Sequence, residues 1–187
     1  MKIVLNGCYG GFGLSYEAMV LYWHARCRDL YFYRDISAYD GYSKIHKYER
    51  ISLADIQRSR NTWTGFIYCT TEDQGAYLDH FPENVVHDRD IERTDPILVS
   101  VVETMGSKAA SGRFASLEIQ EIPDNTLYKI DEYDGLESLI TQDDDDWLIA
   151  RDHDIDQSDK QHIENLWATI KPAPNNYDPD LMFRYDK

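Results

Sequence analysis

Residues 6–16 read Asn-Gly-Cys-Tyr-Gly-Gly-Phe-Gly-Leu-Ser-Tyr, and they follow directly on the apolar run Ile3-Val4-Leu5. Four of the ten glycines of the chain lie in this stretch. Such a cluster indicates a sharp bend, because glycine adopts backbone conformations that side chains exclude. Ser15 then precedes a segment with helical spacing. The stretch therefore predicts a strand, a tight glycine loop and a helix start, where free N–H groups and the helix dipole favour an anion.

The length and composition predict one globular domain. The chain has 187 residues, of which 42% are hydrophobic, with four Trp, fourteen Tyr and six Phe, enough for a packed core. We expect this domain to span residues 1–171, with a loosely ordered tail over residues 172–187 after the last helix. No apolar run approaches the ~18 residues that cross a bilayer. The N-terminus lacks the apolar segment of a signal peptide, so we expect a cytoplasmic protein without a membrane partner.

The formal net charge is −15, and it is unevenly distributed. Between Asp131 and Asp159 there are twelve acidic residues and one arginine, so most of the net charge lies in that stretch. Binding to long nucleic acids requires a basic surface, and this charge disfavours that class of function. The charge excludes neither a basic pocket elsewhere in the fold nor a homo-oligomer.

Periodicity and capping signals indicate a domain of the α+β or α/β class, with a mixed sheet flanked by about three helices. Strand, helix and strand at the N-terminus resemble the start of an α/β unit. Residues 36–61 are weakly patterned, and residues 83–93 are charged and expected to be exposed. The predicted helices are one in the periodic segment Leu14–Arg26 with Ser15 as its N-cap, Leu53–Arg58 after Ser52, a helix from Asp95-Pro96 to Gly106 or Gly112, and Ser158–Ile170. The predicted strands are residues 2–6, Asp29–Asp35, Trp63–Thr71 as a central strand, Phe114–Pro123, and the hairpin Leu127–Ile130 with Leu136–Ile140.

The glycine loop is the first candidate for a ligand site. Its spacing matches neither a Walker A sequence nor the strict dinucleotide fingerprint, although it shares their physical logic. The ordinary alternative is a tight turn that packs the helix against the strand. The candidate ligand-binding residues are Tyr9, Gly10, Gly11, Phe12, Gly13, Ser15 and Arg113. The glycines would offer backbone N–H groups, Ser15 its hydroxyl, Tyr9 or Phe12 a stacking surface, and Arg113 a positive charge.

The other candidate sites are weaker. Asp152, Asp154 and Asp156 resemble the start of a calcium loop, but Gln157 and Ile163 stand where such a loop needs Gly and Glu. We therefore expect no metal site and no cofactor. The run Asp143–Asp146 is typical of a solvated loop. A more specific alternative is an acidic surface that imitates the charge of DNA.

The nucleophilic and basic side chains suggest no catalytic site. Cys27 and Cys69 are interpreted as small buried residues. Cys8 lies in the glycine loop near a helix N-terminus, where a thiolate is favoured, so a catalytic role is an alternative for this residue. The six histidines are dispersed. Arg34, after the second strand, shares with Arg113 the interpretation as a phosphate-binding cation.

Several segments resemble a family of small, uncharacterised bacteriophage proteins. The resemblance rests on the N-terminal motif, on Asp95-Pro-Ile-Leu-Val, and on Leu117–Asp124 and Glu132–Gly135, which together cover somewhat less than half of the chain. It implies an accessory role in the cytoplasm of a bacterial host and no particular reaction.

Three functions follow as hypotheses. The first is non-catalytic binding of a phosphorylated small molecule, with a nucleotide immune signal as the preferred class. The second is an acidic interaction protein or DNA mimic that binds a basic host protein and inhibits a host enzyme. The third is a nucleotide hydrolase or transferase.

Overall fold

A computed structural model describes residues 1–59, 66–141, 148–149 and 155–170 of the chain. The helices are α1 (Tyr16–Ala25), α2 (Leu53–Arg58), α3 (Pro96–Met105), α4 (Ser107–Ala110) and α5 (Gln157–Ile170), together with a 3-10 helix at Asp88–Asp90. The strands are β1 (Lys2–Asn6), β2 (Tyr31–Asp35), β3 (Ala38–Asp40), β4 (Ser43–Ile45), β5 (Tyr48–Ile51), β6 (Ile67–Thr70), β7 (Tyr77–Leu78), β8 (Leu117–Glu121), β9 (Leu127–Tyr133), β10 (Leu136–Ile140) and β11 (Leu148–Ile149).

The described strands form four antiparallel groups. β1 pairs with β8, β9 lies between β10 and β11, β3 pairs with β4, and the largest sheet has the order β6-β2-β5-β7. The predicted α+β class is confirmed. The α/β unit expected from the order strand, helix, strand does not form, because β1 and β2 belong to different sheets.

Three helices and one face of β1 enclose the main hydrophobic core. α1, α3 and α5 pack against one another and bury Leu21, Leu98 and Ile163 completely. β1 separates this core from a smaller one, since Val4 faces the helices while Ile3 and Leu5 pack with Ile122 and Tyr128. Burial on both faces explains why this strand is an uninterrupted apolar run.

The predicted helix boundaries are confirmed where capping residues mark them. Ser15 caps α1, Ser52 caps α2, and Asp95 caps α3 by accepting a hydrogen bond of 2.9 Å from the backbone N–H of Ile97. Gly106 ends α3 with a φ of 80°. Asp95 also accepts a hydrogen bond of 2.7 Å from the Tyr22 hydroxyl, so this cap fastens α1 to α3.

The four-stranded sheet corrects one expectation. Residues 36–59, weakly patterned in sequence, contain the short strands β3, β4 and β5 together with α2. The segment Trp63–Thr71, predicted as a central strand, contributes β6 at the edge of the sheet, and its residues 60–65 lie outside the described part of the chain. Alternation still sets the two faces, since Phe32 enters the main core and Tyr33 enters a satellite cluster with Tyr48 and Leu78.

One of the two cysteines predicted to be buried is exposed. Cys69 is buried, and its burial together with the nearby Asp88 raises the pKa of its thiol to about 12. Cys27 is exposed because it follows α1 in a left-handed conformation, with a φ of 55°. Its backbone N–H donates to the carbonyl of His24, which ends the helix with this residue outside the core.

Among the described residues, the longest helix is α5 with 14 residues, and none is long and apolar enough to cross a membrane. The tail expected over residues 172–187 lies outside the described residues.

The hairpin turn at Gly135 allows a test of backbone packing. We expect Gly135→Ala to lower the free energy of unfolding by about 2–4 kcal/mol, because a Cβ there would lie 2.4 Å from the backbone nitrogen of Gly11 and because its φ is 86°. Gly41→Ala is the matched control, with a φ of 62° and nothing within 4 Å of the added Cβ. It should cost about 1–2 kcal/mol from strain alone. Equal losses for the two variants in urea denaturation would contradict the close contact.

The stability of the fold should fall in alkali because of Tyr16. Burial, with smaller contributions from Cys69 and Asp88, raises the pKa of its hydroxyl to about 12. Between pH 10 and pH 12 the unfolded chain releases this proton first, so unfolding becomes more favourable as the pH rises. We expect Tyr16→Phe to weaken this pH dependence of the free energy of unfolding by about 2 kcal/mol across the window. Tyr42→Phe, at an exposed position, should leave it unchanged.

Candidate functional site

The side chain of Asn6 organises the glycine loop. Its Nδ2 donates hydrogen bonds of 2.6 Å to the carbonyls of Cys8 and Gly135, and its Oδ1 accepts one of 2.8 Å from the N–H of Ser116. Its own N–H donates to Glu137 at 2.9 Å. Asn6 is fully buried, so each of these polar contacts replaces water. The loop is thereby tied to the β9–β10 turn and to the segment before β8.

Two glycines of the loop are in contacts that exclude a side chain. A Cβ on Gly10 would lie 1.5 Å from the carbonyl oxygen of Phe114. Gly11 has a φ of 85°, and its nitrogen lies directly beneath Gly135 of the hairpin turn. The expected backbone bend is therefore present, and its inner side is filled by protein.

A carboxylate of the protein itself, that of Asp88, lies at the N-terminus of α1. The carboxylate of Asp88 accepts a hydrogen bond of 2.8 Å from the N–H of Leu14, and it lies 3.5 Å from where a Cβ on Gly13 would be. The Ser15 hydroxyl accepts from Ala18 at 3.2 Å and donates to the carbonyl of Ala109 at 2.7 Å. The expectation that Ser15 and the helix start would hold a phosphate is corrected, because the hydroxyl is in use and the Asp88 carboxylate would repel a second anion.

Phe12 is packed inside the fold instead of being offered to a ligand. The Arg93 guanidinium lies 3.4 Å from the centre of its ring, and the ring is buried in the main core. Arg93 forms an ion pair of 2.9 Å with Glu137, whose side chain is also buried. The hypothesis that Phe12 stacks on a ligand is therefore wrong, since its accessible face is covered by a guanidinium.

The outer side of the loop presents a different set of groups to solvent. Tyr9 is 66% exposed and Phe114 is 57% exposed, and they flank Gly10. The Arg113 guanidinium lies 5.2 Å from the Phe114 ring, and a terminal nitrogen of Arg89 lies 3.5 Å from where a Cβ on Gly11 would be. We call this surface the loop face, consisting of Tyr9, Gly10, Gly11, Arg89, Arg113 and Phe114.

Backbone donors add to the loop face. The N–H groups of Gly7, Leu14 and Ser15 are hydrogen-bonded to Ser116, Asp88 and Ala110. Within the described part of the chain, the N–H groups of residues 8–13 donate to no other residue. The Arg89 guanidinium thus lies beside Gly11, and the rings of Tyr9 and Phe114 flank Gly10, with the Arg113 guanidinium beside Phe114.

Cys8 is held in place by acceptors. Its Sγ lies 3.2 Å from the carbonyl oxygen of Phe114 and 3.4 Å from Oδ1 of Asn6, so the thiol acts as a hydrogen-bond donor. Both contacts direct the thiol proton toward oxygen atoms of the protein.

The remaining candidates are only partly within the described residues. The acidic run 143–146 and Asp152 and Asp154 lie outside them. Asp156 accepts a hydrogen bond of 2.7 Å from the N–H of Ser158, at the start of α5. No group of three or more potential metal ligands occurs among the residues that the structure describes.

Two of the dispersed histidines meet in the fold. His24 in α1 and His162 in α5 stack with ring centres 4.8 Å apart. Their exposure makes this a surface contact between two helices, and it forms no site with the glycine loop.

Sequence reasoning missed three residues around the loop, namely Asp88, Arg89 and Arg93. All three lie in the segment 83–93, which was expected to be exposed and which instead contributes the buried Ile91 and the 3-10 helix. The run His-Asp-Arg-Asp has no periodicity that would indicate such contacts, so no local signal could have found them.

Comparisons with protein families, with curated proteins and with solved structures found no match to this chain.

The Asp88 contact can be tested by its effect on stability. We expect Asp88→Ala to lower the free energy of unfolding by about 1–3 kcal/mol, because the Leu14 N–H would lose its acceptor in a partly buried place. Asp90→Ala is the control, since Asp90 is an exposed residue of the same 3-10 helix. Urea denaturation of both variants measures the difference. Similar stability of the two would show that the carboxylate does not cap the loop.

Proposed function

We propose that this protein binds a phosphorylated small molecule on the loop face without transforming it, and that a nucleotide is the preferred class of ligand. The single observation that carries the proposal is that Arg89 lies beside Gly11 and Arg113 beside Phe114, next to the exposed rings of Tyr9 and Phe114. The start of α1, where Asp88 lies, is not part of the proposed contact.

The positive groups support an anionic ligand. The chain carries a net charge of −15, so a generally anionic molecule is repelled unless guanidinium groups meet it at close range. The planar guanidinium matches the geometry of phosphate oxygens with two parallel hydrogen bonds. Arg89 lies beside Gly11, Arg113 lies beside the Phe114 ring, and the two arginines come from different segments, which favours a phosphate between them.

The aromatic rings support a base or another flat group on that ligand. Tyr9 and Phe114 are the exposed rings beside Gly10, and base stacking on such rings tolerates any base because every base has a π-face. Tyr9 therefore replaces Phe12 as the proposed stacking residue.

Binding without catalysis is part of the proposal. The loop face contains no histidine, and the thiol of the adjacent Cys8 donates to two protein acceptors. Sequestration of a nucleotide signal in a bacterial cytoplasm would agree with the resemblance to bacteriophage accessory proteins.

Calorimetric titration with a panel of nucleotides and cyclic dinucleotides tests the proposal. We expect one or more of them to bind, and Tyr9→Ala to weaken binding by roughly 5- to 150-fold through loss of stacking. Arg89→Gln should weaken it as well, whereas Tyr42→Ala, which removes an exposed tyrosine from the β3–β4 turn, should not.

The state of the ligand after binding separates sequestration from chemistry. Ligand recovered from the denatured complex should have its original mass. Recovery of a hydrolysed product would contradict the non-catalytic part of the proposal, and failure of every nucleotide to bind would contradict the proposal itself.

A further inference from the structure

Carboxylates of the protein stand at both ends of the glycine loop. At the C-terminal end, Oδ2 of Asp88 lies 3.5 Å from where a Cβ on Gly13 would be. At the N-terminal end, Oε2 of Glu118 lies 3.1 Å from where a Cβ on Gly7 would be. Along the chain, the backbone part of the loop face therefore lies between two negative groups.

Both ends of the loop are close enough for their charges to act on a bound anion. Consecutive Cα atoms are about 3.8 Å apart, so Gly13 is at most about 7.6 Å from Gly11, and Gly7 is at most about 7.6 Å from Tyr9. Screening by physiological salt acts over about 8 Å. A phosphate at the loop face is therefore only partly screened from the two carboxylates.

A hydrogen-bond donor holds each carboxylate beside the loop. The N–H of Leu14 donates to Oδ2 of Asp88 at 2.8 Å, and the side-chain amide of Gln120 donates to Oε1 of Glu118 at 2.9 Å. These contacts favour the observed positions of the two negative charges. A ligand that reaches either end of the loop meets a carboxylate there.

The positive groups of the loop face are balanced by this negative charge. The loop face has two guanidinium groups, those of Arg89 and Arg113, and the loop ends have the carboxylates of Asp88 and Glu118. The formal charges of these four side chains cancel, in a chain with a net charge of −15. An anion therefore gains from direct contact with a guanidinium, but it meets no excess of positive charge around that contact.

The start of α1 lacks the features with which glycine loops bind a chain of phosphates. Such loops direct open N–H groups at the phosphates and add a lysine. Here Asp88 accepts from the N–H of Leu14, and the Ser15 hydroxyl is engaged with the backbone of residues 18 and 109. The place that further phosphates would take at the helix is thus occupied by protein groups.

We infer that the loop face takes a nucleotide with an isolated phosphate group and discriminates against di- and triphosphates, an inference that rests on the proposed function. An isolated phosphate lies against a guanidinium and has no further charge to place. A chain of phosphates adds negative charges that extend toward Gly7 or Gly13, where a carboxylate stands, or into water, where they meet only the net charge of the protein. Asp88 and Glu118 are then the residues that determine specificity.

Titration of the full-length protein with AMP, ADP and ATP tests the inference, because the three differ only in the number of phosphates. The buffer is free of divalent cations, since Mg²⁺ binds to phosphates and neutralises them. We expect the affinity to fall from AMP to ATP by roughly tenfold, and the difference to narrow when salt is added.

Two charge-neutral variants identify the cause of the discrimination. Asp88→Asn keeps a side-chain oxygen for the N–H of Leu14 and removes the charge, so we expect the affinity for ATP to rise by roughly 3- to 10-fold and that for AMP to rise less. Glu118→Gln should act in the same direction, and it serves if Asp88→Asn fails to fold. Asp29→Asn is the matched control, because it removes the same charge from an exposed residue beyond the far end of α1.

The outcomes separate this inference from the proposed function. ATP binding as tight as AMP binding in the wild type would overturn the inference and leave the proposed function in place. The inference would also fail if Asp29→Asn changed the ratio of the two affinities as much as Asp88→Asn and Glu118→Gln do. If none of the three nucleotides bound, the loop face would not be a nucleotide site, and the proposed function and the inference would both be wrong.

Discussion

The buried side-chain amide of Asn6 is the contact on which the arrangement of the glycine loop depends. Its side-chain hydrogen bonds join the loop, the β9–β10 turn and the segment before β8, and its backbone N–H donates to Glu137. An amide group suits this place because it has donors and an acceptor on one rigid plane. The ion pair of Glu137 with Arg93 extends the same network to Phe12. The loop face is consequently fixed by the fold before any ligand arrives.

Asp88 changes what the glycine loop can do. In a loop that binds phosphate at a helix start, the N–H groups near the helix are open and the dipole attracts the anion. Here the protein places its own carboxylate on the N–H of Leu14, and the Ser15 hydroxyl is engaged on both sides. The C-terminal end of the glycine loop is therefore packed against the protein, whereas its N-terminal end, around Tyr9 and Gly10, is exposed to solvent. The packing interpretation drawn from sequence therefore describes the C-terminal half of the loop, and the ligand proposal concerns only the N-terminal half.

Local signals predicted the elements well, because caps and turns depend on neighbouring residues. Ser15, Ser52 and the pair Asp95-Pro96 marked helix starts that the structure has, and Asp134-Gly135 forms the predicted hairpin turn with both residues at positive φ. The contacts that shape the site were not predictable in this way. Asp88 meets Leu14 across 74 positions of sequence, and Asn6 meets Gly135 across 129. Such pairs are set by how elements pack, and a single sequence shows no trace of them. The sequence therefore located the loop but misassigned Phe12 and Ser15 within it.

The overall charge of the chain and a single arginine act on a ligand at different distances. Screening limits the field of the whole molecule to about 8 Å at physiological salt, so a ligand that sits against a guanidinium responds chiefly to that group. An extended polyanion cannot do this, because most of its length would face a surface with a net charge of −15. The net charge of −15 therefore disfavours an extended polyanion, but it does not by itself disfavour a compact anion that lies against a single guanidinium.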